Sequence, residues 1–233
     1  MELLTPFNSY IRNKTLSEKE VIKLGIDICT ALELCAKCHI IHRDIKPENI
    51  FVNQFGDFKL GDFGIARKLE NVSFALSQKG TYNYMAPEVA RGGEYDVTAD
   101  IYSLGLVLYR FMNKNSLPFC NTEYQPLSSK ERKAAIRRRM DGEPLPAPCD
   151  ASPSMADLIL CACSYDANRR FLSATAMKKA LISIANNPDN IIQTKQAKKS
   201  AKPLNKKKKS KLPIVLMIVL VIIFVAITGS FWL

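Results

Sequence analysis

The stretch IIHRDIKPENIFV, residues 40–52, decides the fold because it places a densely charged loop between two apolar runs. The loop, residues 42–49, holds an imidazole, a guanidinium, two carboxylates, an ammonium and an amide. A segment that only needed to turn would use glycine, asparagine, proline or serine. We therefore expect this loop to carry chemistry, with the apolar runs burying its two ends.

A second acidic segment follows the loop, and Asp62 stands eighteen residues after Asp44 in the sequence GDFG. Residues 50–64, IFVNQFGDFKLGDFG, look like two short strands around a Gly-Asp turn, and such a hairpin can return Asp62 to Asn49. Carboxylate and amide oxygens suit Mg²⁺. Asp44 could then accept a hydroxyl proton while Lys46 neutralises charge, which is the division of labour that phosphoryl transfer requires.

Most of the globular part, residues 15–185, has helical patterns. The first helix is expected to begin at Ser17, with Glu20 completing a capping box. The run Arg137–Arg139 is interpreted as a solvated helix face. These patterns predict a mainly α fold with a small β-hairpin beside the charged loop. The other predicted helices are TADIYSLGLVLYRFM (98–112), SKERKAAIRRRM (129–140), SPSMADLILCAC (152–163) and SATAMKKALISIA (173–185).

The basic residues of the chain are concentrated near its end. The net charge is +11, and nine lysines without any acid lie between Lys195 and Lys211, so subtracting those nine leaves +2 elsewhere. We expect residues 186–211 to form a flexible basic linker. Its lysines could bind nucleic acid, but beside a membrane segment they are better placed against anionic lipid headgroups. No nucleic-acid partner is therefore expected.

Residues 212–233, LPIVLMIVLVIIFVAITGSFWL, contain no charged side chain. As a helix they would span roughly 33 Å, enough to cross a hydrocarbon core of about 30 Å. A buried core helix is the alternative, but such a helix is rarely apolar on every side. We expect a single transmembrane helix, with residues 1–185 kept cytoplasmic by the lysines that precede it.

The seven cysteines show no regular spacing and are interpreted as reduced thiols. The segment CAKCH, residues 35–39, matches the CxxCH pattern of covalent haem attachment. The alternative is two thiols on a helix that ends at a histidine. Haem attachment usually requires an exported domain, whereas the lysine cluster predicts a cytoplasmic one, so no haem is expected.

Three motifs in order, HRDIKPEN (42–49), DFG (62–64) and APE (86–88), resemble those of eukaryotic-type serine/threonine protein kinases. The resemblance covers roughly residues 1–185 and corresponds to the large lobe of that family. It implies transfer of the ATP γ-phosphate to Ser or Thr hydroxyls of protein substrates, with ATP and Mg²⁺ as cofactors. The sequence DFGIAR and the lysines before the apolar segment also resemble bacterial receptor-like kinases.

The resemblance assigns catalytic and cofactor-binding roles to six residues. It implies that the segment GTYNYMAPE, residues 80–88, forms a platform for the substrate backbone. The implied roles are catalytic base for Asp44, contact with the transferred phosphate for Lys46, a bridge between these two for Thr81, Mg²⁺ ligation for Asn49 and Asp62, and the floor of the ATP site for Phe51.

Structural and regulatory roles follow from the same resemblance. Glu88 should pair with Arg170, and Asp100 should hydrogen-bond the backbone of the charged loop. Lys46 marks the serine/threonine class, and Arg43 is typical of kinases regulated by a phosphate on the activation segment. The serines expected to accept that phosphate are Ser73 and Ser77.

The family pattern is incomplete before the charged loop. Residues 1–39 contain no G-x-G and no lysine in a strand-like context, and MELLTPFNSYI resembles the hinge and first helix of the large lobe. We therefore expect little kinase activity from this chain in isolation. Three interpretations remain: a fragment of a membrane-anchored kinase, a catalytically impaired stand-alone lobe that binds or regulates, and a lipid-binding anchor with a vestigial globular part. The intact set of catalytic residues favours the first.

Overall fold

Short strands and longer helices build the part of the chain that a computed structural model describes, residues 2–62, 81–93, 95–120 and 128–187. The predicted mainly helical composition is confirmed for these residues. In chain order the elements are β1 (Leu4–Pro6), α1 (Phe7–Tyr10), α2 (Glu18–Lys37), β2 (Ile50–Asn53), β3 (Phe58–Leu60), α3 (Pro87–Ala90), α4 (Val97–Phe111), α5 (Ser129–Met140), α6 (Pro153–Ala162) and α7 (Ala174–Asn186).

The helices begin where the sequence supplies caps. Ser17 and Glu20 form the predicted capping box of α2: the Glu20 N–H donates to Ser17 Oγ (3.4 Å), and the Ser17 N–H donates to Glu20 Oε2 (2.9 Å). Ser128 and Glu131 do the same for α5. All four of the later predicted helices are present, and each begins and ends within one residue of its expected bounds.

The predicted hairpin is confirmed, but the sheet has a third strand. β2 and β3 pair antiparallel around a turn in which Gly56 has a φ of 79°, and the order is β1-β2-β3. β1 is only three residues long and all its side chains are exposed. It therefore lacks the alternation that identifies a strand in sequence, and its pairing with β2 defines it instead.

Helix α4 is the centre of the core. Nearly every residue of α4 is buried, and α2, α6 and α7 pack around it. Two glycines allow close approach: a Cβ on Gly25 would stand 2.8 Å from Leu181 Cδ1, and one on Gly105 would stand 2.7 Å from Cys163 Sγ. Because α4 is fixed on all sides, the polar side chains at its start have a rigid support.

Several sequence expectations fall outside the described residues, namely those for Ser73, Ser77, most of the basic linker and residues 212–233. Among the residues that are described, no helix has the length and apolar character needed to span a membrane. All seven cysteines are free thiols in the structure. Within the segment CAKCH, Cys35 is buried and Cys38 is exposed at the end of α2.

Candidate active site

The charged loop between α2 and β2 brings three of the predicted residues into direct contact. The Lys46 ammonium donates to Asp44 Oδ2 (2.8 Å), and Asn49 Nδ2 donates to the same oxygen (3.0 Å) and to the Asp44 carbonyl (2.7 Å). Asp44 is 9% exposed and Asn49 is 5% exposed, so these contacts are weakly screened by water. The Asp44 carboxylate is therefore held in one orientation at the rim of a buried loop.

His42 ties this loop to the end of β3. Its Nδ1 accepts a hydrogen bond from the Asp44 N–H (3.4 Å), and its Nε2 lies 3.1 Å from the Gly61 carbonyl. A neutral ring with its proton on Nε2 satisfies both contacts. Burial lowers the pKa of the imidazole, against the opposing effect of the Gly61 carbonyl. These contacts are those of a fully buried structural residue.

Asp100, near the start of α4, holds the backbone of the loop. Its Oδ2 accepts from the His42 N–H (2.8 Å) and its Oδ1 accepts from the Arg43 N–H (2.9 Å). Burial raises the pKa of Asp100 to about 6, although the two backbone hydrogen bonds oppose the rise. Arg43 has a φ of 71°, a strained conformation for a residue with a Cβ, so these hydrogen bonds hold the chain in a conformation it would otherwise leave.

Backbone pairing beyond β3 brings Asp62 towards Asn49. The Gly61 N–H donates to the Asn49 carbonyl (2.9 Å), and Asp62 follows with an exposed side chain and a φ of 53°. Because Asn49 Nδ2 donates its hydrogen bonds to Asp44, the amide oxygen Oδ1 is the atom that can face a cation. Within the described residues, no hydrogen bond joins the Asp62 side chain to Asp44 or Asn49, and no group of three or more His, Cys, Asp or Glu could hold a metal.

Phe51, the residue expected at the floor of the ATP site, packs against Gly61. A Cβ on Gly61 would stand 2.7 Å from Phe51 Cε2, so only glycine lets the ring lie this close to the chain. The ring is half-buried on β2. It places an apolar surface next to the residues that precede Asp62.

The expected substrate platform begins with a 3₁₀ turn, Thr81–Asn83, and continues into α3. The Tyr84 carbonyl lies 2.8 Å from Ser103 Oγ on α4, and the Tyr84 hydroxyl accepts from Arg110 Nη1 (2.8 Å). A small cleft, lined by Asp44, Tyr84 and Ser103 among others, separates this segment from the charged loop. The side chain of Thr81, like Phe63 and Gly64 of the DFG motif, lies outside what the structure describes.

Glu88 and Arg170 form a two-pronged ion pair. Arg170 Nη1 and Nη2 lie 2.6 and 2.7 Å from the two Glu88 carboxylate oxygens, and the Arg170 side chain is fully buried. The same guanidinium donates to the carbonyls of Thr98 (3.1 Å), Ser164 (2.7 Å) and Tyr165 (3.2 Å). The structure therefore brings these two predicted residues together and joins α3 to the chain between α6 and α7.

The interpretation of Arg137–Arg139 as a solvated face was wrong for Arg139. Arg137 and Arg138 are exposed, but Arg139 is 4% exposed and donates to the carbonyls of Asn83 (2.6 Å) and Tyr82 (2.9 Å). Successive residues of a helix point about 100° apart, so Arg139 projects from a different side of α5 than Arg137 does. The small Ala135, four residues earlier and also buried, was the available signal.

An open cavity lies apart from these side chains. It has a volume of about 690 Å³ and opens between α2 and β3, among residues such as Leu34, Phe58 and Leu60. Its lining is mainly apolar and includes none of the loop residues 42–49. We therefore place the candidate active site at Asp44, where polar side chains contact one another, and not at this cavity.

Comparison with known proteins agrees with this geometry. The family model for the protein kinase domain matches residues 1–182. A probable serine/threonine-protein kinase of Clostridium perfringens is 33% identical over 201 residues, which are 81% of this chain and 28% of that protein. Serine/threonine-protein kinase PknB of Mycolicibacterium smegmatis is 31% identical over 176 residues, or 72% of this chain and 27% of that protein.

A probable serine/threonine-protein kinase of Dictyostelium discoideum is 34% identical over 145 residues, covering 61% of this chain and 14% of that protein. The chain thus spans less than a third of the length of each of these three relatives. The match to the kinase domain nevertheless covers most of the chain, and the loop that holds Asp44, Lys46 and Asn49 lies within the matched residues. The chain belongs to the protein kinase family, and its resemblance within that family is to serine/threonine kinases.

Proposed function

We propose that this chain transfers the γ-phosphate of ATP to serine or threonine hydroxyls of protein substrates, with Asp44 accepting the hydroxyl proton. The observation that carries the proposal is the contact of one buried carboxylate oxygen with both Lys46 Nζ (2.8 Å) and Asn49 Nδ2 (3.0 Å). A carboxylate fixed in this way can hold a hydroxyl in line for attack, which is the main demand of phosphoryl transfer.

The neighbouring side chains suit the proposed cofactors. Asn49 Oδ1 and the exposed Asp62 carboxylate are hard oxygen donors of the kind that Mg²⁺ prefers, and such sites commonly use one or two protein ligands together with phosphates. Bound ATP and Mg²⁺ would supply the phosphoryl group and neutralise its developing charge. Phe51 would support the nucleotide base. Lys46 would stay beside Asp44 and add a positive charge to that of Mg²⁺.

The remaining assignments belong to the same proposal. Thr81 would bridge Asp44 and Lys46 from the start of the substrate platform. A phosphate on Ser73 or Ser77 would pair with Arg43, whose buried Nε has no hydrogen-bond partner among the described residues. The support for these roles is the family membership and the position of Arg43 within the charged loop.

The test is phosphorylation of a generic basic protein by the full chain with ATP and Mg²⁺, at an enzyme concentration high enough to follow the low rate expected of a chain whose residues 1–39 contain no G-x-G. Asp44→Asn should lower the rate by 10²-fold or more, since a positioned base contributes about 10²–10⁴. Asp57→Asn, a half-exposed carboxylate of the β2–β3 turn that pairs with Lys23 and lies outside the charged loop, is the control and should leave the rate unchanged. A rate in Asp44→Asn equal to that of the unsubstituted chain would contradict the proposal.

The alternative, a catalytically impaired lobe with a binding or regulatory role, makes a different prediction in the same assay. Such a chain would bind the Mg²⁺–nucleotide without turnover. Fluorescent ATP-analogue binding, measured with and without Mg²⁺ and with Asp62→Asn, separates binding from transfer. Magnesium-dependent binding together with no phosphorylation would favour the alternative.

We propose in addition that residues 212–233 anchor the chain as a single transmembrane helix, with the kinase lobe cytoplasmic. The support is the uncharged run of 22 residues and the lysines that precede it. The basic linker would then lie against anionic headgroups. The full chain should remain in membranes after alkaline extraction, and replacing Lys206–Lys209 with glutamine should weaken its preference for anionic over neutral vesicles.

A further inference from the structure

Arg139 is a buried cation whose hydrogen bonds, among the residues that the structure describes, go to backbone carbonyls. It lies on α5 with 4% of its surface exposed, and within the described residues no carboxylate forms an ion pair with it and its Nε has no partner. Burying a charge without an opposite charge is costly, and an apolar side chain of similar length is often the more stable choice. The groups that Arg139 contacts are therefore the place to look for its role.

The guanidinium holds two successive carbonyls of the segment that leads into α3. Nη1 donates to the Asn83 carbonyl (2.6 Å) and Nη2 donates to the Tyr82 carbonyl (2.9 Å). The rigid planar fork of arginine suits two acceptors at a fixed spacing, and charged donors make the stronger hydrogen bonds. The next carbonyl, of Tyr84, lies against Ser103. Three consecutive peptide carbonyls are thus held by side chains from α5 and α4.

This segment and the charged loop share a support. Ser103 and Asp100 lie on the same buried helix, α4, and Asp100 holds the backbone of the loop that contains Asp44. Ser103 on α4 contacts the Tyr84 carbonyl, and Arg139 on α5 contacts the carbonyls of residues 82 and 83. Helices α4 and α5 together therefore fix the position of the platform relative to Asp44.

We propose that Arg139 is a positioning residue for the protein substrate, because it fixes the backbone of residues 82 and 83 relative to Asp44. The proposal rests on the proposed kinase function, in which residues 80–88 form the platform for the substrate backbone. Arg137 supplies a matched control: it is the same residue type on the same helix, its side chain is 84% exposed, and it pairs with Asp141.

The first test is steady-state kinetics of the full chain with myelin basic protein as the probe substrate. Arg139→Met should raise the KM for this protein about tenfold, the effect of losing two charge-assisted hydrogen bonds, with the KM for ATP and kcat unchanged. Arg139→Lys, which keeps the charge without the fork, should give an intermediate KM, and Arg137→Met should match the unsubstituted chain. A merely structural Arg139 would lower kcat through the folded fraction and leave both KM values unchanged, and that result would overturn the proposal.

A second measurement needs no activity. Hydrogen–deuterium exchange of the full chain should show amides of residues 82–90 exchanging about tenfold faster in Arg139→Met, with α2 and α7 unchanged. Unchanged exchange in this segment, in both Arg139→Met and Arg139→Lys, would overturn the inference even in an active enzyme. If the unsubstituted chain phosphorylates nothing, the proposed function fails, and the substrate role of Arg139 fails with it even where local exchange rises.

Discussion

Among single residues, Arg170 shows most directly what burial of a charge demands. Its fully buried guanidinium pairs with Glu88 and also donates to three carbonyls. Removing one partner of such a pair leaves the other charge and several acceptors unsatisfied. Arg170→Met should therefore lower the free energy of unfolding by about 3–5 kcal/mol in urea denaturation followed by circular dichroism.

The neighbouring arginine provides the control for that prediction. Arg169 is 75% exposed in its side chain, and its ion pair with Asp166 is long, at 3.9 Å. Arg169→Met should change the free energy of unfolding by less than about 0.5 kcal/mol. If the two substitutions lowered the free energy of unfolding equally, the buried pair of Arg170 with Glu88 would not contribute to stability beyond what an exposed pair contributes.

The raised pKa of Asp100 predicts how the free energy of unfolding changes with pH. Its pKa rises from an ordinary 3.8 to about 6 in the folded chain, mainly because it is buried. The folded state therefore holds this proton more tightly than the unfolded state, and the free energy of unfolding falls by about 3 kcal/mol as pH rises from about 4 to above 6. Asp100→Asn should remove this pH dependence. The substitution should therefore lower the free energy of unfolding by more at pH 4 than at pH 7.

Glu143 offers a control of the opposite sign. Its hydrogen bond from Arg138 lowers the pKa of the carboxyl, so the ionised form stabilises the folded chain above the ordinary pKa of 4.5. The loss of unfolding free energy caused by Glu143→Gln should accordingly become smaller as pH falls towards 4. Urea unfolding at several pH values tests both substitutions, and the same direction of change in both would contradict the assignment for Asp100.

At the scale of elements, the close contacts of α4 with its neighbours depend on glycine. A Cβ on Gly105 would meet Cys163 Sγ at 2.7 Å and Ala162 Cβ at 2.9 Å, and the second of these atoms cannot move without its backbone. Gly105→Ala should lower the free energy of unfolding by about 1–3 kcal/mol, despite a gain of up to about 1 kcal/mol in helix propensity. Urea denaturation measures the net effect.

Gly25 is the matched substitution on α2. Its added Cβ would meet Leu181 Cδ1 at 2.8 Å, which is the far end of a side chain that can rotate. The strain and the gain in helix propensity should then nearly cancel, leaving a change of less than about 1 kcal/mol. If Gly105→Ala proved as stable as Gly25→Ala, the packing of α4 against α6 would be looser than the structure shows.

Element boundaries also show what local sequence can and cannot predict. The start of α2 at Ser17 was predictable because its cap is made by residues three positions apart. β1 was not, because its three exposed residues become a strand only by pairing with β2, about fifty residues later in the chain. Local chemistry determines the first kind of feature and tertiary pairing determines the second.

For the whole molecule, the family resemblance predicted two contacts that the structure shows but not how these residues are supported. Contacts such as Lys46–Asp44 and Glu88–Arg170 join residues that the family motifs already named. Arg139 belongs to no motif, and its run of charges indicated an exposed face. Its burial follows from where α5 packs against the segment before α3, a relation over more than fifty residues that composition and periodicity do not encode.

The packing of α2 against α7 joins segments near the beginning and the end of the described chain, and polar side chains contact each other across it. Lys178 donates to Glu33 at 2.8 Å, across 145 positions of sequence, and both side chains are at least three-quarters buried. Hydrogen bonding to Lys178 lowers the pKa of Glu33. A double-mutant cycle with Glu33→Gln and Lys178→Met should give a coupling energy of about 0.5–1 kcal/mol.

The exposed pair of Arg137 and Asp141, 3.5 Å apart, is the reference cycle and should couple by less than about 0.3 kcal/mol. Adding 1 M NaCl should reduce the reference coupling to zero but leave much of the coupling between Glu33 and Lys178, since partly buried charges are screened less. A coupling near zero for Glu33 and Lys178 at low salt would mean that apolar contacts, such as Leu181 against Gly25, hold α2 and α7 together.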